Sequence, residues 1–436
     1  MDFSIFLSTS ALLSAPDTSQ SDFIVQDFAV VMIVAAIMLV ITHKLKQSMV
    51  IGYLLAGMII GPHTPPFTLI YDVGTVNMFA ELGIIMLLFV IGIEFPIAKL
   101  KQIGRISLII GLSESMGTML VTFIVAQQLG FSLFDALFLS LAMSITSTVV
   151  TLKILEEMGK VKERSSILIL GVLIVEDIIA VSALAILQSI AVASDTTEGI
   201  SILPISISIA IAIVFIASIL ILGSKFLPNL IDRIGKTNDY ALLLIVILGL
   251  AFGLSFVANL LGLSVVIGAF LAGVLVAESK SATVAKVITI PLRDVFSALF
   301  FISIGALVNV SLIPMFIIPA IILILTSFTT KFLITIGVLA RSKYDKTEAL
   351  KTGLGLAASK GEMSLVIAKG GQDVGAITSS VLPILSVVTI LTSFASPYII
   401  RFGNSIKFTS ANYNDNNNKL DDTEKDKNQN YNDKSF

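Results

Sequence analysis

Thirteen apolar blocks follow one another along the chain, each close to the length a helix needs to cross a lipid bilayer. They cover roughly 23–42, 49–62, 77–96, 106–127, 133–152, 166–193, 202–223, 240–257, 262–277, 295–309, 312–340, 352–370 and 376–400. A hydrocarbon core of ~30 Å takes about 20 helical residues at ~1.5 Å each. The apolar residues come as continuous runs, without the spacing of a half-buried helix or strand. That predicts an all-α polytopic membrane protein with about 13 transmembrane helices.

Composition excludes several alternatives. Apolar residues make up 56% of the 436, charged residues 13%, and the mean hydropathy is +0.98, so about half the charge of a soluble domain is missing. A net charge of −2 gives no electrostatic case for a nucleic-acid partner. The absence of cysteine excludes disulfides, thiolate metal sites, iron–sulfur clusters and cysteine catalysis. Two histidines, His43 and His63, are too few for a haem or zinc cluster and fall at span ends. Residues 1–22 carry Asp17 and Asp22 in place of a basic n-region, and so read as a short exposed tail, not a signal peptide. Residues 411–436 hold eight Asn and no apolar block, which predicts a disordered tail.

Basic residues set the orientation. With the amino terminus outside, 25 of the 28 Lys and Arg fall in loops or tail on the cytoplasmic side, among them Lys99, Lys101, Lys160, Arg164, Lys286, Arg293 and Lys346. The outer loops 61–76 and 194–201 hold none. This division follows the positive-inside rule and would be scrambled by a missing or extra span. The three exceptions, Lys331, Lys360 and Lys369, lie within spans.

Charges at bilayer depth mark functional positions, because each costs at least ~2.5–3.5 kcal/mol at the centre of a span. Glu176 and Asp177 are adjacent in the middle of the sixth block. Neighbouring helix positions differ by about 100°, so the two carboxylates spread over one wide acidic face. Lys331 lies too deep in the eleventh span to snorkel and needs a counter-charge, for which Glu176 or Asp177 is the natural candidate. Glu94, near the end of span three, is placed to pair with Lys99 or Lys101; Glu114 lies deeper, in span four, with no partner evident from the sequence.

Two spans carry breaks. Span five holds Ser144, Thr146, Ser147 and Thr148, small hydroxyl residues that weaken a helix and offer oxygen ligands. Span twelve holds Ser359, Lys360, Gly361 and Glu362, a glycine flanked by both charges. At such breaks half-helix ends meet ions, and opposite-sign side chains neutralise the dipoles. Seven spans separate the breaks, and an odd offset reverses direction through the membrane. The expected organisation is therefore an outer tail (1–22), a membrane domain (23–405) and a cytoplasmic tail (406–436). The membrane domain divides into inverted repeats at about 23–193 and 240–400, joined by a linker helix at 202–223.

At these residues the chain resembles the monovalent cation:proton antiporter superfamily, specifically its Kef/Nap-type branch. The resemblance rests on ordered segments at 87–94, 144–150, 175–181, 268–276, 300–307 and 360–366, and spans about 25–405. It implies two crossed discontinuous helices in a mobile core, a separate dimerisation domain and a homodimer. It also implies that Asp177 binds the cation or a proton, as metal ligand, with Glu176 where relatives carry Asp, Asn or Gln. Ser147 and Thr148 match the hydroxyl pair of the first broken helix, with Thr146 beside them. Lys331 matches the lysine of electrogenic members as charge partner, and Lys360 and Glu362 the charged pair of the second break. Glu94 and Glu114 stand as secondary positions.

The expected activity is antiport of a monovalent metal cation against protons in a cell membrane, with Na+ favoured, K+ possible and no cofactor. Asp177 would hold a cation as carboxylate or a proton as acid, while the empty anion stays trapped by its desolvation cost. The added Glu176–Lys331 pair would release a second proton, making exchange electrogenic. The alternative is a Kef-type potassium efflux protein lacking its nucleotide-binding domain. A channel would want a carbonyl filter, and an intramembrane aspartyl protease would want acids on separate helices within a recognisable motif. Neither pattern is present, so the chain is not expected to be an enzyme.

Overall fold

The computed structural model describes residues 20–45, 47–63, 69–70, 72–94, 104–194, 211, 214–237, 239–261, 263–342 and 344–406. Within them every regular element is helical. Among the described residues nine stretches are long and apolar enough to cross a membrane, and two shorter apolar helices join them. In chain order the helices are α1 (Gln20–Lys44), α2 (Met49–Ile60), α3 (Val73–Ile93), α4 (Arg105–Gln128) and α5 (Leu133–Ser144). Then come α6 (Thr148–Glu157), α7 (Arg164–Ser194), α8 (Ser224–Gly235), α9 (Tyr240–Leu260) and α10 (Val265–Ala277). Last are α11 (Ala282–Ala306), α12 (Ile313–Arg341), α13 (Lys346–Ala357), α14 (Glu362–Asp373) and α15 (Val381–Ser405).

Polar caps start several of the helices. Asp72 accepts from the backbone N–H of Gly74 and Thr75, at 2.9 and 3.0 Å, to open α3. Asp239 and Asp345 open α9 and α13 in the same way. Each supplies an acceptor to amides that have no partner inside the helix.

The helices form two bundles. α1, α2, α3, α8, α9, α10 and α11 pack together, and α4–α7 pack with α12–α15. The first bundle relies on close backbone approach. A Cβ on Gly92 of α3 would lie 2.3 Å from Phe270 O, and one on Gly273 of α10 would lie 2.1 Å from Phe89 O. Small residues let helices meet this way in lipid, where apolar surfaces gain nothing by leaving the hydrocarbon. The second bundle is polar inside. The buried face of α4 carries Ser107, Glu114, Ser115, Thr118 and Thr122, while Leu112, Met116 and Leu120 face outward.

Several expected boundaries move. The block at 295–309 is the second half of α11, whose first turns carry Lys286 and Arg293 on a helix and not in a loop. Thr289 and Ala285 are buried in those turns, so one face packs while the charged face stays accessible. The polar stretch after span seven is also helical: α8 is amphipathic, with Pro228 and Ile231 buried, and it follows a π-turn at Ile219–Gly223. Half of the linker helix expected at 202–223 lies outside the described residues, as do residues 1–19 and 407–436.

Candidate functional site

Both predicted breaks are present, and they touch. Span five divides into α5 and α6, with Ile145, Thr146 and Ser147 between them. Ser147 caps α6, its hydroxyl accepting from the Val150 amide at 3.3 Å. Residues 358–361 separate α13 from α14, and the Ser147 amide donates to Ser359 O at 3.2 Å. Gly361 makes the approach possible, because a Cβ there would lie 2.2 Å from Ser147 Oγ.

Charges sit on the half-helix ends as dipole electrostatics require. Lys360 Nζ donates to Met143 O at 2.6 Å, at the carbonyl end of α5. Glu362 occupies the first turn of α14 and accepts from Ser147 Oγ at 3.0 Å. A cation at a helix carboxyl end and an anion at an amino end each lower the cost of burying unpaired backbone groups.

α7 passes the breaks and sends its two acids in different directions. Glu176 is fully buried and committed. Its Oε1 accepts from Lys331 Nζ at 3.0 Å and from Thr146 Oγ1 at 3.2 Å, and its Oε2 accepts from the Thr146 amide. Lys331 completes its three donors with Thr146 Oγ1 at 2.7 Å and Glu114 Oε1 at 3.1 Å. Thr146 also reaches Leu356 O at 2.6 Å, tying the first break to the last turn of α13. Lys331 thus has two carboxylate partners, Glu176 and Glu114, both on neighbouring helices of its own bundle.

Asp177 is arranged differently. Its Oδ2 accepts from Thr148 Oγ1 at 3.0 Å, while Oδ1 is buried with no hydrogen-bond partner. Asp177 makes no ion pair with Lys331, so only one of the two expected counter-charges is used. A buried carboxylate oxygen with free lone pairs, on an acid bonded to the Thr148 hydroxyl just past the unwound stretch 145–147, offers oxygen donors of the kind a hard alkali ion takes. Among the described residues no three His, Cys, Asp or Glu side chains gather to hold a metal ion, so further ligands would come from hydroxyl and backbone oxygens.

Two secondary positions find unforeseen partners. Glu94 pairs with Lys286 of α11 at 2.8 Å. The partners that the sequence suggests, Lys99 and Lys101, lie outside the described residues. Lys286 was hidden because its segment reads as a loop. Glu114 pairs with Lys331, and the signal available in the sequence was the run of polar residues recurring on one face of α4. His43 and His63 are exposed at element ends.

The comparisons follow this geometry. The model of the sodium/hydrogen exchanger transmembrane family matches residues 29–402. Among curated proteins, the putative cation/proton antiporter YbaL of Escherichia coli is 34% identical over 280 residues, covering 63% of this chain. The aligned region spans 50% of YbaL. The K(+)/H(+) antiporter subunit KhtU of Bacillus subtilis is 25% identical, covering 87% of this chain and 93% of KhtU. The Na(+)/H(+) antiporter of Enterococcus hirae is 27% identical, over 83% of this chain and 93% of its own. The structure of the sodium proton antiporter MjNhaP1 from Methanocaldococcus jannaschii at pH 8 superposes with a TM-score of 0.67 at 14% identity, over 88% of this chain and 99% of that one. That likeness establishes a shared all-helical fold. With a family model matched across nearly the whole membrane region, the chain belongs to the sodium/hydrogen exchanger transmembrane family.

Proposed function

We propose that the protein exchanges a monovalent metal cation for protons across a cell membrane, with Asp177 as the carboxylate that the two ions share. The observation that carries this reading is the asymmetry between adjacent acids. Glu176 is saturated by Lys331 and Thr146, whereas Asp177 keeps one buried oxygen free beside Thr148. A free buried anion is costly unless something neutralises it. A proton does so by bonding to the oxygen, and an alkali cation does so by coordination. The two are mutually exclusive, and that exclusion couples their fluxes.

Glu176 acts in this scheme as the charge partner of Lys331, and Ser147, Glu362 and Lys360 hold the breaks in register. Transport follows if the bundle of α4–α7 and α12–α15 moves as a body against the other, carrying the site from one side to the other. Thirteen spans, the amino terminus outside and the carboxyl terminus in the cytoplasm remain the arrangement that best sorts the basic residues. The two broken helices cross in that arrangement, and a homodimer forms through the bundle that does not move. No cofactor enters the cycle.

Sodium is the favoured cation. Potassium is the alternative, since relatives named as potassium antiporters match along most of the chain. Purified protein in liposomes loaded with a pH-sensitive dye decides the matter. Adding Na+, Li+ or K+ outside should move protons in the opposite direction, and the cation with the lowest KM is the substrate. No proton movement with any alkali cation would overturn the assignment.

A further inference from the structure

Alternating access requires contacts between the two bundles that hold one face shut and then let go. Lys369 makes such a contact. It lies on α14, 4% exposed, and its Nζ donates to Asn77 Oδ1 of α3 in the other bundle at 3.2 Å. Its counter-charge is Asp373, one turn along its own helix, with Nζ at 2.5 Å from Oδ1. Gln188 of α7 anchors the same turn through Gly370 O at 2.9 Å. Around the site, Lys331 pairs with Glu114 and Glu176 inside one bundle, and Glu94 with Lys286 inside the other. Lys369 and Asp373 likewise share a bundle, so the bond that crosses ends on a neutral amide.

That chemistry suits a contact that breaks repeatedly. Parting a cross-bundle ion pair strands two charges, whereas parting Lys369 from Asn77 leaves the ammonium with Asp373 and the amide with water. The contact also lies on one side of the breaks only. Beyond it, the start of α5 meets the segment after α14, where Asp135 accepts from the Thr378 amide at 2.7 Å. At the opposite end, where α6 runs toward Glu157, a cavity of about 80 Å³ separates the bundles. Its walls are Ser48, Met49 and Val50 on one side, and Val149, Lys153 and Ile154 on the other.

We propose that Lys369 and Asn77 form the latch that keeps the site closed at the α5/α14 end, making Lys369 a positioning residue for alternating access. The proposal rests on the antiport reading. Releasing the latch raises the population open at the α5/α14 end, and apparent affinity on each face scales with the fraction of molecules open to it.

The test uses Asn77→Leu, which removes the acceptor, and Asn77→Asp, which makes it a charge. Both are measured in oriented liposomes, with sodium and in parallel potassium supplied on one face at a time. Asn77→Leu is expected to lower KM at the α5/α14 face and raise it at the other, each up to about tenfold, the scale of one charge-assisted hydrogen bond. Asn77→Asp should shift both in the reverse sense. A structural defect would lower kcat or yield without opposing KM shifts; equal or same-direction shifts in the two variants overturn the latch. Because the chain has no cysteine, Ser48→Cys gives a readout independent of transport. A membrane-impermeant maleimide should label it more slowly in the Asn77→Leu background than with Asn77 intact. Labelling that is unchanged in both Asn77 variants overturns the latch even if antiport itself is absent. A wild type without cation-driven proton flux overturns the antiport reading instead.

Discussion

Thr148 donates its hydroxyl to one oxygen of Asp177 at 3.0 Å and leaves the other oxygen buried and unpartnered. One residue earlier on α7, Glu176 has both oxygens occupied. Two adjacent acids of the same charge are thereby given different surroundings by the groups that face them, and the exchange chemistry we propose falls to Asp177, the one with a free oxygen.

Asp177→Asn tests that division. The amide keeps the size and can still accept from Thr148, so the protein should fold and insert. It has no anionic state to trade between proton and cation, so cation-driven proton flux should fall to the level of empty liposomes. Near wild-type dye response in the variant would move the site elsewhere.

Thr148→Val keeps the shape of the side chain and deletes the hydroxyl. A hydrogen bond to a charged group contributes ~1.5–3 kcal/mol, so cation KM should rise about tenfold while kcat changes little. Thr148→Ser should recover most of the loss. An unchanged KM in the valine variant would show that this hydroxyl does not help hold the ion.

Much of this site was legible because lipid makes certain residues expensive. Serine, threonine and glycine runs inside apolar blocks announced the breaks at 145–147 and 358–361, and Lys331 announced a buried acid as partner. What escaped were relationships set by helix packing. The polar face of α4 marks Glu114 as buried, but its meeting with Lys331 follows from α4 lying along α12, which that face does not specify. Lys286 reaches Glu94 because α11 starts earlier than its apolar block, and hydropathy does not register an amphipathic turn. Asn77 carried no signal, since a single neutral amide near a helix start is unremarkable until a lysine from another bundle points at it.

Gly361→Ala should act on stability before chemistry. A Cβ would lie 2.2 Å from Ser147 Oγ and 2.4 Å from Ser147 Cβ, so the two breaks must separate. Overpacking of this kind costs ~1–3 kcal/mol, and it displaces the hydroxyl that Glu362 accepts. Thermal unfolding in detergent should shift downward, with transport lost in proportion to misplacement of the breaks. Unchanged unfolding and unchanged flux would mean that the breaks are less tightly joined than their contact indicates.

We propose that the stoichiometry rests on Lys331, whose proton would leave in a cycle that pairs it with Glu176. Asp177 alone would swap one cation for one proton and move no net charge. In the proposed cycle the Glu176–Lys331 pair forms without the cation and opens when it binds, with loss of the lysine's proton. Two protons then cross per cation, and the membrane potential contributes ~2.3 kcal/mol per 100 mV to each net charge moved. Lys331→Gln should keep cation binding at Asp177 and lose voltage sensitivity. It also leaves Glu176 and Glu114 buried without their shared counter-charge, so a loss of ~3–5 kcal/mol in stability is expected. Adding Glu114→Gln to it removes one of those charges and should recover part of the stability without restoring voltage sensitivity. Glu114→Gln alone leaves the Glu176–Lys331 pair intact and should remain electrogenic. The measurement is the cation gradient that nulls proton flux at several clamped potentials. In the wild type and in Glu114→Gln that null point should move with potential, and in Lys331→Gln it should not. A wild-type null point independent of potential would make the exchange electroneutral, leaving Lys331 a structural counter-ion whose proton never leaves.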